Sequence, residues 1–427
     1  MPPSSHDHVE NVGASRIGLG FIEFVITIAL MTASVALAID IMLPALPAIG
    51  QSLGVANQNE AQLVIGVFFF GFGLSQIIFG SLTDAFGRRR IMLGGLVVFA
   101  LTSFGAAMTE SFEMLLVLRF IQAIGAAAVR ISTMAVVRDC FGGREMARVM
   151  SYVMLVFMLI PIIAPSIGQA IITFANWHWI FILLGAIGLV LLTWAGLRLK
   201  ESLPDAERVP LSVASVTDGF RTVLTNRITL GYMIGLTMFL AVICAYIVTV
   251  QQIFGEVFGL GEWLPLAFAG TGTGIAIANF ANGYFVRSFG MRRISHAAMI
   301  IFTVLAIIGL LLALNGTSGF VVTYSLISVM LVMFAVLTTN FTAISLEPMG
   351  NIAGTATAIT GFVSTTGGAL LGGVVGQMFN GTVQPLFAAF AVFGIISLIA
   401  VLWAEKGKLF THPGDDTALL DAGGGHM

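Results

Sequence analysis

Apolar runs of roughly 17 to 25 residues, the length that crosses the hydrocarbon of a bilayer, recur twelve times along this chain. They fall near 21–43, 61–83, 91–109, 114–137, 150–173, 177–197, 229–252, 263–286, 294–314, 320–344, 352–378 and 384–404. Backbone groups facing lipid must find their hydrogen bonds within their own segment, so each run is predicted as an α-helix. The longest polar interruption, Leu199 to Arg227, follows the sixth run. It divides the chain into a tail (1–20), a six-helix bundle (21–198), a linker (199–227), a second six-helix bundle (228–404) and a second tail (405–427). Within the linker, Ser212 to Asn226 is predicted as an amphipathic segment lying on the membrane surface.

The two halves repeat one another. Gly80-x-x-x-Asp84-x-x-Gly87-Arg88-Arg89-Arg90 and Gly283-x-x-x-Arg287-x-x-Gly290-x-Arg292-Arg293 stand 203 residues apart, each between the second and third apolar runs of its half. In both copies a helix enters, turns tightly at glycine, which has no Cβ to clash, meets arginine and leaves again. The prediction is an all-α polytopic membrane protein of two pseudo-symmetric six-helix bundles.

Composition agrees: 58% hydrophobic and 9% charged residues among 427 exceed what a water-soluble core can hide. A net charge of -2 gives no reason to expect nucleic-acid binding, and two cysteines, Cys140 and Cys244, make neither a disulfide framework nor a thiolate metal site. The first 20 residues lack the cleavage pattern of a secretory signal, so the first run is expected to be retained. Of 19 lysines and arginines, Arg119 and Arg130 lie inside the fourth run, and the other 17 occupy the tails and the even-numbered connections. By the positive-inside rule both termini face the cytoplasm, and in a bacterial-type cell the protein sits in the inner membrane.

Twelve runs in two sixes with one shared turn resemble the major facilitator superfamily of secondary transporters, over essentially the whole chain. Asp40-x-x-Leu43-Pro44-Ala45-Leu46-Pro47, Gln76, Gly80-Ser81-Leu82-Thr83-Asp84, Arg138-Asp139 and Ala164-Pro165-x-x-Gly168 resemble the drug/proton antiporter branch, in particular its bicyclomycin and chloramphenicol resistance group (Bcr/CflA-like). The resemblance implies a carrier that exports small amphipathic or neutral organic compounds by alternating access. The resemblance implies that the proton gradient would be its energy source, and no cofactor is expected. Its partners would be the substrate, protons and the bilayer, and it would work as a monomer. The alternative is a carrier for an endogenous metabolite.

An aspartate within a membrane segment is costly unless paired, hydrated or protonated, which makes Asp40 a candidate proton carrier. The other reading is that Asp40 caps a helix end at the outer interface and stays ionised. Arg119 and Arg130, eleven residues apart, return to within about 20° of one helix face, roughly 16 Å apart along the axis. With Gln122 they form a polar stripe expected to face the cavity. Arg119-x-x-Gln122-x-x-Gly125-Ala126-Ala127 resembles the family's fourth-span motif, with Ala123 in place of a usual glycine, and that resemblance implies a part for Arg119 in proton coupling. Asp40 and Arg119 are expected to approach one another. For Arg130 the expectation is a charge in the cavity or a second acidic partner.

Gly80, Asp84, Gly87, Arg88, Arg89 and Asp139, with Gly283, Arg287 and Gly290 in the second copy, are expected to form cytoplasmic latches, Asp84 reaching Arg88 or helix N-termini across the domain interface. Arg287 stands where the first copy has an acid, and Glu347 is expected to supply the missing negative charge. Pro161, Pro165 and Gly168 resemble the antiporter motif of the fifth span, with Ala164 and Gln169 in place of glycines; an ordinary kinked helix is the alternative. Candidate substrate contacts are Tyr246, Gln252, Asn340, Phe341, Phe68 and Phe72. An enzyme is not expected: the six histidines lie in tails or near membrane edges and form no catalytic or metal cluster. No phosphate-binding glycine loop ending in Lys-Ser or Lys-Thr is present, so ATP hydrolysis is not expected.

Overall fold

The structure, a computed structural model, describes residues 17–208 and 213–410; the rest of both tails and residues 209–212 of the linker lie outside the described residues. Among the described residues, twelve helices are long and apolar enough to cross a membrane. Spans 1 to 6 are Phe21–Ser52, Gln58–Phe86, Arg88–Ala107, Phe112–Cys140, Arg148–Phe174 and His178–Arg198. Spans 7 to 12 are Arg227–Val257, Gly261–Phe289, Met291–Leu314, Phe320–Gly350, Ala353–Gln377 and Gln384–Ala404.

Span 1 runs past its predicted end. Beyond Asp40 the chain continues through a tight turn, Leu43–Ala45, and a short helix, Leu46–Ser52. Pro44 and Pro47 are the second residues of these pieces, where the N–H that proline lacks has no helical acceptor anyway. They reshape the span without ending it, so Asp40 lies well inside the protein, 5% exposed, and the outer-cap reading of it fails.

The bundles are built alike. Spans 1 and 5, 2 and 4, 3 and 4, and 3 and 6 pack in the first; spans 7 and 11, 8 and 10, 9 and 10, and 9 and 12 pack in the second. Between bundles, span 2 lies on span 11 and span 5 on span 8, two contacts that exchange when the halves are exchanged. Small residues set the close approach, as is usual where lipid removes any hydrophobic drive between helices. A methyl group on Gly73 of span 2 would stand 2.7 Å from the backbone nitrogen of Thr366 in span 11.

The two repeat turns have the same backbone. Gly87 has φ 94° and ψ 148°, Gly290 φ 79° and ψ 150°, a region essentially reserved for glycine. The linker segment expected on the bilayer surface is the helix Val213–Thr225, but it docks on protein. Gly219 sits against Thr355, Phe220 meets Phe362 edge-on at 6.3 Å and Val223 is fully buried.

Candidate transport pathway

Arg119 is the largest fully buried side chain. Its Nε donates to the Val64 carbonyl at 3.1 Å, Nη2 to the Ala38 carbonyl at 3.1 Å and Nη1 to Gln122 Oε1 at 2.7 Å. Gln122 Nε2 in turn donates to Ser103 Oγ at 2.6 Å. Phe68 and Phe181 lie 4.4 and 5.9 Å from the guanidinium carbon. One cation thus ties spans 1, 2, 3, 4 and 6 together.

The expected pair with Asp40 is not formed. The planar guanidinium has fixed donor directions, and here they are taken by two carbonyls and an amide. Asp40 has no ion-pair partner among the described residues. It lies within electrostatic reach of Tyr246 in span 7, whose buried hydroxyl also lacks a hydrogen-bond partner. The acid therefore sits where the bundles meet.

On the face opposite the repeat turns, side-chain amides bond the two bundles to one another. Gln62 of span 2 donates to Gln252 of span 7. Gln252 Nε2 donates to Asn59 Oδ1 at 2.8 Å, Asn59 Nδ2 to the Phe379 carbonyl at 2.9 Å, and Gln377 Nε2 to the Asn59 carbonyl at 2.8 Å. Below this seam Gly168 of span 5 presses on the Ile41 carbonyl and Pro44 of span 1, leaving no room for a Cβ. Pro161 lies inside the continuous helix Gly143–Phe174 and packs near Gly272 of span 8.

At the basic face the ion pairs of Arg88 and Arg292 each stay within one half. Arg88 bonds Asp84 and, at 3.1 Å, Asp139, which also accepts from Ser202 Oγ at 2.8 Å. Glu201 accepts from the backbone N–H of Arg88 at 2.8 Å, and Arg89 donates to the carbonyls of Gly196 and Leu199, both at 2.6 Å. In the second half Arg292 bonds Glu347 and Glu405, each at 2.9 Å. Of the expected latch partners Asp84 takes Arg88, and the result is a brace within each bundle, because Asp139 in the last turn of span 4 and Glu201 just after span 6 also reach Arg88. Glu347 does supply the missing acid, but to Arg292; Arg287 is exposed. What crosses the interface here is Gln76 Nε2 donating to Thr365 Oγ1 at 3.0 Å.

Several expected substrate contacts have other tasks. Gln252 belongs to the amide seam. Asn340 and Asn282 exchange reciprocal bonds of 3.0 and 3.1 Å. Phe341 is fully buried against Tyr232 and Phe239 inside the second bundle, and Phe68 lies under Arg119. Their rings complete helix packing, which needs large apolar side chains as much as a cavity does. Phe72 is half-buried on span 2, and the buried hydroxyl of Tyr246 has no hydrogen-bond partner among the described residues.

Sequence reasoning missed the amide seam; the odd connections that carry it lack lysine and arginine but hold glutamates, and nothing in their sequence singles out the amides. It also missed a chain of bonds at the basic end of the second bundle. There Tyr232 donates to Glu405 at 2.8 Å and meets His296 Nε2 at 2.9 Å, while the N–H of Phe410 donates to His296 Nδ1 at 3.0 Å. His296, near the start of span 9, is fully buried.

A sequence description of the Major Facilitator Superfamily matches residues 28–373. The chain is 29% identical to the uncharacterized MFS-type transporter YdgK of Bacillus subtilis (strain 168), covering 93% of this chain and 98% of that one. It is 28% identical to a bicyclomycin resistance protein homolog of Haemophilus influenzae, over 90% and 97%. Among solved structures, a bacterial homolog of the human lysosomal transporter Spinster, inward-facing and unoccupied, superposes with TM-score 0.65 at 14% identity, covering 91% of this chain and 95% of that one.

Proposed function

The chain belongs to the Major Facilitator Superfamily, and from that premise we propose that it is a proton-driven exporter of small amphipathic or neutral organic compounds. It is a multi-pass bacterial membrane transporter rather than an enzyme. The basic face is taken as cytoplasmic, with both termini on that side, in the inner membrane, and a single chain forms the working unit. The naming of the Haemophilus relative after bicyclomycin resistance supports the export of drug-like compounds.

One observation carries the proton assignment: Asp40, a buried acid of the first bundle with no ion-pair partner among the described residues, lies within electrostatic reach of Tyr246 of the second. Rocking of the bundles changes the surroundings of that carboxyl more than of any group held within one bundle. A carboxyl that is neutral when enclosed and ionised when wet couples proton binding to the side that is open. Substrate leaves outward while protons return inward.

The test is transport in proteoliposomes with an imposed pH difference, using chloramphenicol, bicyclomycin and uncharged dyes. Wild type is expected to accumulate at least one of these against its gradient. Asp40→Asn is expected to lose gradient-driven accumulation and to keep exchange of labelled for unlabelled compound. Undiminished pH-driven accumulation by Asp40→Asn overturns the assignment.

A further inference from the structure

The assigned parts leave Arg130 without a task. Its guanidinium lies over the ring of Phe157 in span 5, with the carbon 5.4 Å from the ring centroid, and its Nη1 is buried with no hydrogen-bond partner. None of its nitrogens has a hydrogen bond or ion pair among the described residues. Asp40 lies at the level of Arg119, whose Nη2 bonds the Ala38 carbonyl, and Asp139, on the same helix, is bonded to Arg88. The level of Arg119 and Asp40 is roughly 16 Å from Arg130 along the axis.

A permanent cation held in a membrane span with neither counter-ion nor carbonyl is retained against a high desolvation cost. One contact with a phenyl face offsets only part of it. Arg130 is also partly open. Met134 and Arg138 follow it at spacings of four along span 4, Met134 half-buried and Arg138 exposed without a partner among the described residues. The three side chains form a strip climbing from the basic face to the interior, positive at both ends.

We propose that Arg130 receives an acidic group of the transported compound, so that the favoured cargo is an amphipathic organic carboxylate. The planar fork of Arg130 matches a carboxylate with two parallel hydrogen bonds. Phe157 flattens the guanidinium from one side and offers an aromatic surface to the body of the molecule. Arg138 draws the anion in from the basic face. The separation from Asp40 keeps proton and cargo charge on different groups, so neither displaces the other. This inference rests on the exporter reading and narrows its substrate class.

Equilibrium binding to the full-length protein in lipid nanodiscs tests it, with a set of aromatic carboxylates each paired with its neutral amide, 2-naphthoate and 2-naphthamide among them. Wild type is expected to prefer the acids by about tenfold, the worth of one charge-assisted contact. Arg130→Gln collapses that preference, and Arg130→Lys restores part of it. Absence of the preference in wild type, its persistence in Arg130→Gln, or an equal loss of acids and amides in that variant overturns the proposal. The exporter reading is judged separately, by pH-driven transport of the neutral amides in wild type. An acid preference in a protein that moves nothing against a gradient leaves the Arg130 site standing and removes the exporter.

Discussion

Arg119 and Arg130 share one helix, one face and one residue type, and the protein treats them in opposite ways. Arg119 is enclosed, and its fork is met by two carbonyls and an amide from three spans. Arg130 is partly open, stacked on one ring and bonded to nothing. Both were legible as intramembrane cations, but residue type could not separate them. The difference lies in what surrounds each guanidinium: a cation with all its donors used holds helices together, and a cation with free donors is poised for something that arrives.

The largest effect is expected where that contrast is attacked from the enclosed side. Arg119→Leu leaves the Gln122 amide and two carbonyl contacts unmet and opens space under Phe68. A loss on the order of 2–5 kcal/mol is expected, seen as a lower melting temperature in detergent; Arg119→Lys, which cannot reproduce the fork, falls between. Next, Arg130→Gln removes an uncompensated charge and is not expected to lower the melting temperature, while it erases the preference for acids over amides. If both variants destabilise alike, the two arginines do one job and the contrast is wrong. The smallest effect is expected at the surface pair Glu23 and Arg198, 2.8 Å apart. Such exposed pairs contribute little, so Arg198→Ala is expected to leave the melting temperature within measurement error.

The fold was legible because its signals are long and repeated. Twelve apolar runs, a one-sided distribution of arginine and a duplicated glycine turn each point to the same architecture, and Gly87 and Gly290 adopt one backbone in two places. The site was legible only as far as cost per residue goes. Asp40, Arg119 and Arg130 announce themselves because charge in a membrane is rare. Which group each one meets depends on rotamer and register, and neither is written in spacing. Asp40 was expected to meet Arg119 and instead lies within electrostatic reach of Tyr246; of the two partners expected for Asp84, Arg88 or helix N-termini across the interface, it bonds Arg88, one turn away. Neutral side chains were the hardest. Gln62, Gln252, Asn59 and Gln377 close one face of the molecule, yet amides near span ends are too common to signal a seam.

The central claim is that protonation of Asp40 biases which face is open. Its most direct test is the distance between spin labels at Ala56→Cys in the first bundle and Glu262→Cys in the second, both at exposed positions on the face sealed by amides. In lipid nanodiscs at pH 5.5 and 8.5, wild type is predicted to show two distances whose proportions change with pH, and Asp40→Asn to show proportions that do not. A single distance unaffected by pH in wild type, or the same pH response in Asp40→Asn, would contradict the account.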